Sequence, residues 1–581
     1  MKRRLGLGLA CSLLALGWAL GVQASPPAPV VVQSPQPSTM PWVQTLLAQP
    51  DQTPAFAQAV LHEAQVSAQD PEGLVRAWQA LSRWAGLPSQ EVGRKAPWLT
   101  SNSSDPLHRA LTRLAQASGS AALVAPSRRD VPEPLRSALA QQIEAIVWAR
   151  GQLDKALKEV HANWPPELHT DPAAMTAWRA VLLSQALQGD FRTDDPVDIR
   201  QWLGRVDRQA LAEGMGALLQ AAVHLQRTLV QQTWPERVWQ QQTPWGLLRL
   251  DTTRRSGRYW VPDPLLWVSL GGDDHYRFGP RGAHNPISVF MDMRGHDEYV
   301  SEHDGADPSV GFLGLGLLWD GEGLNQYTGT WLAQGAGFMG AGVLVDGSAG
   351  LKTTPGSRME ATGHAQGFAL EGLGLLWAGE ADDTLIALTH AQGSAGPGGA
   401  AWLINAGGND RYDLANTRVV QASSQLPQRN ASMGQGSGRG WRGRGGAPDV
   451  PGGMGLLVDL AGDDHYTAQV FAQGVGFQQG LGLLIDAGGN NRHEAAWYAL
   501  GAAAHQAVGV FWASGQGADV YSLSHASGLG AATDRSLGWF EDVGGDDWLA
   551  VVPFSQGQAA EGSVARCKTR AQGVGSVACS R

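Results

Sequence analysis

The C-terminal half of the chain repeats one phrase: an apolar run closing on Asp, a glycine-containing step, two Asp or Asn, and then an aromatic. Clean copies are Val458-Asp459-Leu460-Ala461-Gly462-Asp463-Asp464-His465-Tyr466 and Ile485-Asp486-Ala487-Gly488-Gly489-Asn490-Asn491-Arg492-His493. Further copies run from Leu270 to Tyr276, Asp292 to Tyr299, Asp320 to Tyr327, Asn405 to Tyr412 and Asp542 to Trp548. Worn copies lie at Val345-Asp346, Ala378 to Leu385 and Ala513 to Tyr521. Roughly ten units of about 26 residues result, and a period of that size belongs to solenoids and arrays, in which no unit buries its apolar face alone.

A second phrase follows each turn: Ala333-Gln334-Gly335, Ala365-Gln366-Gly367, Ala391-Gln392-Gly393, Ala472-Gln473-Gly474 and the variant Ser555-Gln556-Gly557. Each unit reads as strand, Asp/Gly turn, strand, Gly-rich turn, which is one coil of a β-solenoid. In Gly314 to Asp320 the two-residue period puts Leu315, Leu317 and Trp319 on one side. That side is expected to form the coil interior. Gly316, Gly342, Gly374, Gly455, Gly482, Gly509 and Gly538 should then form a bare outer stripe, where glycine marks the close approach of a ligand or another backbone.

The turn tails, as in Gly407-Gly408-Asn409-Asp410-Arg411-Tyr412 and Ala381-Asp382-Asp383-Thr384-Leu385, resemble the Gly- and Asp-rich turns of RTX repeats, a secreted β-solenoid class. The resemblance covers the turns alone, because RTX units are about a third as long. It implies calcium as cofactor and Asp274, Asp297, Asp383, Asp410, Asp464, Asp519 and Asp547 as its ligands. Calcium takes six to eight oxygen ligands. The same residue types also make Asx turns without any metal, and Asn325, Asn409, Asn490 and Asn491 stand where other copies carry Asp.

Other columns bear on function. The Gln column fits either a substrate row or a ladder of stacked amides at a solenoid corner. His364, His390 and His525 share one repeat position and would suit a transition metal or a general base if the coils brought them together. The acidic loop of His296, Asp297, Glu298, Glu302, His303, Asp304 and Asp307 departs from the repeat. Carboxylates with His there would serve acid/base cleavage or epimerisation of a sugar chain, so a carbohydrate-active enzyme (lyase, epimerase or hydrolase) is the alternative to a binding or structural module. Residues 423–453, with Arg439, Arg442 and Arg444 among glycines, read as a disordered insertion suited to an anionic glycan or headgroup.

Residues 1–24 have a basic start, an apolar run and small residues at the end, the layout of a cleaved secretory signal, so the chain is expected to be exported to the periplasm or outside the cell. A Pro-rich linker follows (25–41), and residues 42–250 read as an all-helical domain, clearest in Pro134 to Ala162, where Leu135, Leu139, Ile143, Ile146, Val147, Leu153, Leu157 and Val160 recur at threes and fours. A further helix should open at Thr170-Asp171-Pro172 and close at Gly189. The helices are expected to cap the first coil or to lie on the glycine stripe. After the signal only Cys567 and Cys579 remain, and in an oxidising compartment they most simply pair to tie down a C-terminal cap, 561–581.

The net charge of -10 argues against a nucleic-acid partner. Past the signal, no apolar run reaches membrane-spanning length. The expected fold is α+β: a helical domain followed by a parallel β-solenoid over 262–560, acting as a binding or structural module for a polysaccharide or envelope component.

Overall fold

Capping fixes where the helices begin. The computed structural model describes residues 38–88, 105–164, 178, 180–186, 198–280, 286–347, 356–415, 417–443, 448–542, 544–551, 557–569 and 572–574. Asp70 accepts from the Gly73 N–H at 2.9 Å ahead of the helix Pro71–Trp84, and Asp105 accepts from the His108 N–H at 3.1 Å ahead of Pro106–Ser118. Asp207 does the same for the Ala210 N–H at 3.0 Å ahead of Arg208–Gln231. In each case an otherwise unpaired first-turn donor is satisfied, and Pro at the first position of two of these helices forfeits nothing. The helix expected over Pro134 to Ala162 is Leu135–Ala156 followed by Lys158–His161. Of the helix expected from Thr170, only Trp178 and residues 180–186 are described, and these are helical.

Helix ends earlier than the composition suggested. After Gln231 the chain forms an antiparallel pair, Val238–Thr243 with Gly246–Asp251, inside the range expected to be helical. The alternation of Gly246–Asp251, buried on every second residue at first, is a strand period that the surrounding Gln- and Trp-rich composition masks. From Gly246–Asp251 on, strands add in parallel, one per coil, to a thirteen-stranded sheet ending at Val564–Thr569. A twelve-stranded sheet runs beside it from Arg258–Val261 to Gln572–Val574, and an eight-stranded sheet of very short strands closes the third side. Two three-stranded sheets form the corner between them.

One coil illustrates the rest. Leu315–Asp320 leads through Gln326–Thr328, Trp331–Ala333 and Gly337–Phe338 to Ala341–Asp346, which pairs in register with Leu315–Asp320, Asp320 opposite Asp346. This is a stack of parallel coils, the architecture of a β-solenoid.

Which side of the first sheet faces inward is the reverse of the expectation. Leu318, Leu344, Leu376, Leu403, Leu457 and Leu484 fill the interior together with Tyr276, Tyr299, Tyr327, Tyr412, Tyr466 and Tyr521. Leu315, Leu317 and Trp319 face outward into a second core shared with the helices, where Leu315 meets Gly214 and the Trp84 and Trp402 rings sit 5.1 Å apart. A parallel sheet covered on both faces is apolar on both, so a two-residue period cannot say which side is inside. The glycine stripe lies inside because the eight-stranded sheet comes close there: a Cβ on Gly316 would sit 2.3 Å from the Val310 carbonyl oxygen. The close approach is by backbone, and the helices lie on the Leu/Trp side.

Two further expectations change. The insertion is largely built into the stack, since Ala431–Gly434 and Gly438–Arg439 add to the corner and third sheets and Gln435 repeats the Gln phrase. Met433-Gly434-Gln435-Gly436 had lost the alanine that marks the other copies. The tail is a further coil rather than a cover, because Val564–Thr569 pairs in parallel with Leu537–Asp542. Cys567 is buried on that strand, while Cys579, like residues 1–24, lies outside the described residues.

Gly342→Ala should destabilise the fold by about 2 kcal/mol or more, since its Cβ would meet the Ala336 carbonyl oxygen at 2.1 Å, an overpacking that backbone on both sides cannot relieve. Gly488→Ala, with nothing within 4 Å, should stay within about 0.5 kcal/mol. Urea midpoints of the two variants measure the difference.

Candidate functional site

The two acidic positions of each turn have different tasks. At the second, inner position the side-chain oxygen of one coil accepts the backbone N–H of the coil before it. Asp274 N–H donates to Asp297 at 2.7 Å, Asp297 N–H to Asn325 at 3.1 Å and Asn325 N–H to Ser357 at 3.3 Å. The series continues through Ser357 to Asp383, Asp383 to Asp410, Asp410 to Asp464, Asp464 to Asn491, Asn491 to Asp519 and Asp519 to Asp547 without a break. At the first, outer position the direction reverses: His296 N–H donates back to Asp273, Asn409 N–H to Asp382, Asp463 N–H to Asn409 and Asn490 N–H to Asp463. Asp, Asn, Ser and His all supply an acceptor, which is why the repeat tolerates them.

All seven residues expected to be metal ligands therefore stand in one inner column, each giving Oδ1 to a neighbouring coil. A third acidic position, the Asp that closes the preceding strand, was not among the expected ligands. In register down the first sheet it is Ser269, Asp292, Asp320, Asp346, Ala378, Asn405, Asp459, Asp486, Ala513 and Asp542. Wherever a coil carries Asp at both its strand end and its inner turn, and the previous coil carries Asp at its inner turn, three carboxylates converge. This happens at Asp274, Asp292 and Asp297, at Asp410, Asp459 and Asp464, and at Asp519, Asp542 and Asp547. One carboxylate oxygen from each residue lies within 4.8 Å of the other two, all nine residues are buried, and such groups could hold a metal ion. The signal in the sequence is Asp-x4-Asp preceded by a unit with Asp at the inner position, whereas the RTX resemblance points to the inner Asp alone.

A tyrosine roofs each triad. Tyr276 Oη lies 2.8 Å from Asp274 Oδ2 and 2.6 Å from Asp292 Oδ2, Tyr412 donates to Asp459 at 2.7 Å, and Tyr521 Oη lies 2.9 Å from Asp542 and 3.2 Å from Asp519. One phenol proton serves one carboxylate, so the second oxygen it touches needs a proton or a cation. Burial, reinforced by the neighbouring carboxylates, raises Asp292 to about 7 and Asp297 to about 9. Burial likewise raises Asp459 to about 7, Asp464 to about 9, Asp519 to about 6 and Asp542 to about 8.

The other columns are structural. Each described Gln of the corner phrase takes a left-handed backbone, φ near 55° at Gln334, and donates its Nε2 to strand carbonyls, for Gln334 those of Tyr327 and Glu360 at 3.2 and 3.0 Å. The ladder runs from side chain to backbone, not from amide to amide. His364 and His390 do meet, with ring centroids 5.0 Å apart, whereas His525 sits on a later coil beside Ser524. Burial holds His364 down at about 3 and His390 well below its ordinary range, so both are neutral, and His390 Nε2 accepts from Arg439 at 2.8 Å. The acidic loop does not converge: Glu298 pairs with His275 and Glu302 with Arg277, Asp304 accepts from Thr330 at 2.7 Å, and Asp307 holds Ser309 and the Gln334 N–H.

Carboxyl groups raised by folding contribute stability that is complete below the unfolded value of about 4 and is lost as pH rises through their folded values. In chelator, the melting temperature should therefore fall between pH 5 and pH 9, and Asp459→Asn should flatten that fall. Asp383, outside the triads, separates ladder from charge: Asp383→Asn keeps the acceptor for Ser357 N–H and should be neutral or stabilising, while Asp383→Ala should cost about 1 to 3 kcal/mol in thermal or urea unfolding. No protein-family model, curated protein or solved structure matches this chain, which leaves its function to be read from the stack itself.

Proposed function

We propose that the chain is an exported, calcium-stabilised solenoid that binds an extended polysaccharide along the outer face of its twelve-stranded sheet. The reading is carried by that face. The first sheet is covered by helices, and the third buries Phe312 and Phe338, but strands of the second alternate buried and solvent-facing residues along the stack. At about 4.8 Å per strand, twelve strands span about 50 Å.

The chemistry of this face suits a hydroxyl-rich chain. Arg358 pairs with Glu360 at 3.0 Å and Arg411 with Asp413 at 2.7 Å, and Arg492 pairs with Glu494, so paired donors and acceptors recur on every second coil of this stretch. Trp260, 60% exposed, and Trp548, 46% exposed, offer apolar ring faces near the two ends. The buried carboxylates support calcium as the resident ion, because a hard cation with oxygen ligands would offset their repulsion. A bridge between Cys567 and Cys579 would belong to the same exported setting.

Affinity electrophoresis in gels containing neutral or anionic polysaccharides tests the binding. The wild type should be retarded by at least one of them, and Trp260→Ala combined with Arg411→Ala should lose most of that retardation without change in melting temperature. Equal mobility of wild type and variant in every gel would remove the polysaccharide reading.

A further inference from the structure

The calcium reading leaves open where an ion would sit, since the inner column runs the whole length of the stack. Resting on that reading, we infer that the chain holds three discrete divalent-cation sites, one in each Asp triad, and that the strand-closing Asp292, Asp459 and Asp542 complete them. The remaining rungs of the column are hydrogen-bonded structure and take no ion.

The inference stands on the division of labour between the two oxygens of each turn Asp. In the triads Oδ1 is committed to the ladder: Asp297 to Asp274 N–H, Asp464 to Asp410 N–H and Asp547 to Asp519 N–H. Oδ2 of these same three residues is buried and meets no hydrogen-bond donor. Each residue is only 2% exposed, so solvent does not supply what the protein omits. An unpartnered, buried carboxylate oxygen is costly unless a cation compensates it. Here it occurs three times at equivalent places, each time beside two further carboxylates.

The diluted coils show how the chain keeps carboxylates from converging elsewhere. Where the strand closes on Asp346 the inner position is Ser357, and Asn325 Nδ2 donates to Asp346 at 3.0 Å. Where it closes on Asp486 the inner position is Asn491, whose Nδ2 donates back at 2.7 Å. At Asp383 and Asp519 the strand end is Ala378 and Ala513. Oδ2 of Asp383, Oδ2 of Asp486 and Oδ1 of Asp320 are also buried without a donor, but among the described residues none of them belongs to a set of three converging carboxylates. Charge is thus concentrated at three places and diluted between them.

Oxygen-only donors from carboxylates and a phenol select a hard divalent ion. The full chain, freed of metal by chelator and dialysed to equilibrium against calcium chloride, is expected to hold three ions per molecule. Asp459→Asn and Asp542→Asn should each lower this to two, and Asp383→Asn and Asp486→Asn should leave it at three. Each Asn is close in size to the residue it replaces, and far-ultraviolet circular dichroism of every variant confirms the fold before counting. A larger count that falls with Asp383→Asn would overturn the triads while sparing the calcium reading. A count unmoved by Asp459→Asn and Asp542→Asn would overturn the triads whatever its value. No bound calcium at all would overturn both readings.

Discussion

Everything in the stack depends on a hydrogen bond from a backbone N–H at one turn to a side-chain oxygen at the next. The two turn positions reach in opposite directions, the outer toward the following coil and the inner toward the preceding one, so each turn is tied on both sides. Each such bond contributes about 1 kcal/mol, and more where the acceptor is ionised. The turns fix the rise per coil. With the rise fixed, tyrosines at the next position stack ring on ring, Tyr299 on Tyr327 at 4.8 Å and Tyr412 on Tyr466 at 4.6 Å, and strand registers follow. The price of the arrangement is a column of carboxylates inside the protein, which the chain dilutes with Asn, Ser and Ala except at the three triads.

The repeat was legible because its chemistry is local. A turn that needs an acceptor at two positions and glycine beside them writes the same letters each time, and the helix from Leu135 wrote its period as clearly. What a single unit does not spell out is relational. Leu315 and Leu318 are equally apolar, and only the helices covering one side decide that Leu318 is interior and Leu315 is not. Asp292 and Asp297 looked like a strand end and a turn, although the coil geometry makes them one cluster. Met433-Gly434-Gln435-Gly436 kept the function of its phrase while losing its spelling. His364 and His390 had the right spacing to meet, but their apolar surroundings, Trp331 and Phe368, were not visible as such.

The helices use the same logic in reverse. Their apolar faces pack partly on one another and partly on the outward Leu/Trp rows of the first sheet, in one continuous cluster. Trp78 shows the join: it is buried among helices, and its ring N–H donates to the Ala212 carbonyl at 2.9 Å. Leu74, on the same helix, lines a small cavity together with Trp319, Val345 and Trp377 of three successive coils. Helical layer and solenoid are therefore two halves of one core.

That layer also changes how the stack can come apart. The helix Arg208–Gln231 lies across the strands Leu315–Asp320, Ala341–Asp346 and Leu373–Glu380. Pro71–Trp84 continues over Leu373–Glu380 and Ala400–Gly407, Thr53–Ser67 over Ala400–Gly407 and Leu481–Asp486, and Pro41–Ala48 over Val508–Ala513. A bare solenoid is a row of units that each feel only their neighbours, and it can fray from an end one unit at a time. Here a splint of helices bridges neighbouring strands from Leu315–Asp320 to Leu481–Asp486 and runs in the opposite direction to the chain that forms the coils. To loosen one of these coils is to disturb a helix that also holds a neighbour, so the row should melt as a block, and the first helix of the chain, Pro41–Ala48, grips a strand near its far end, Val508–Ala513.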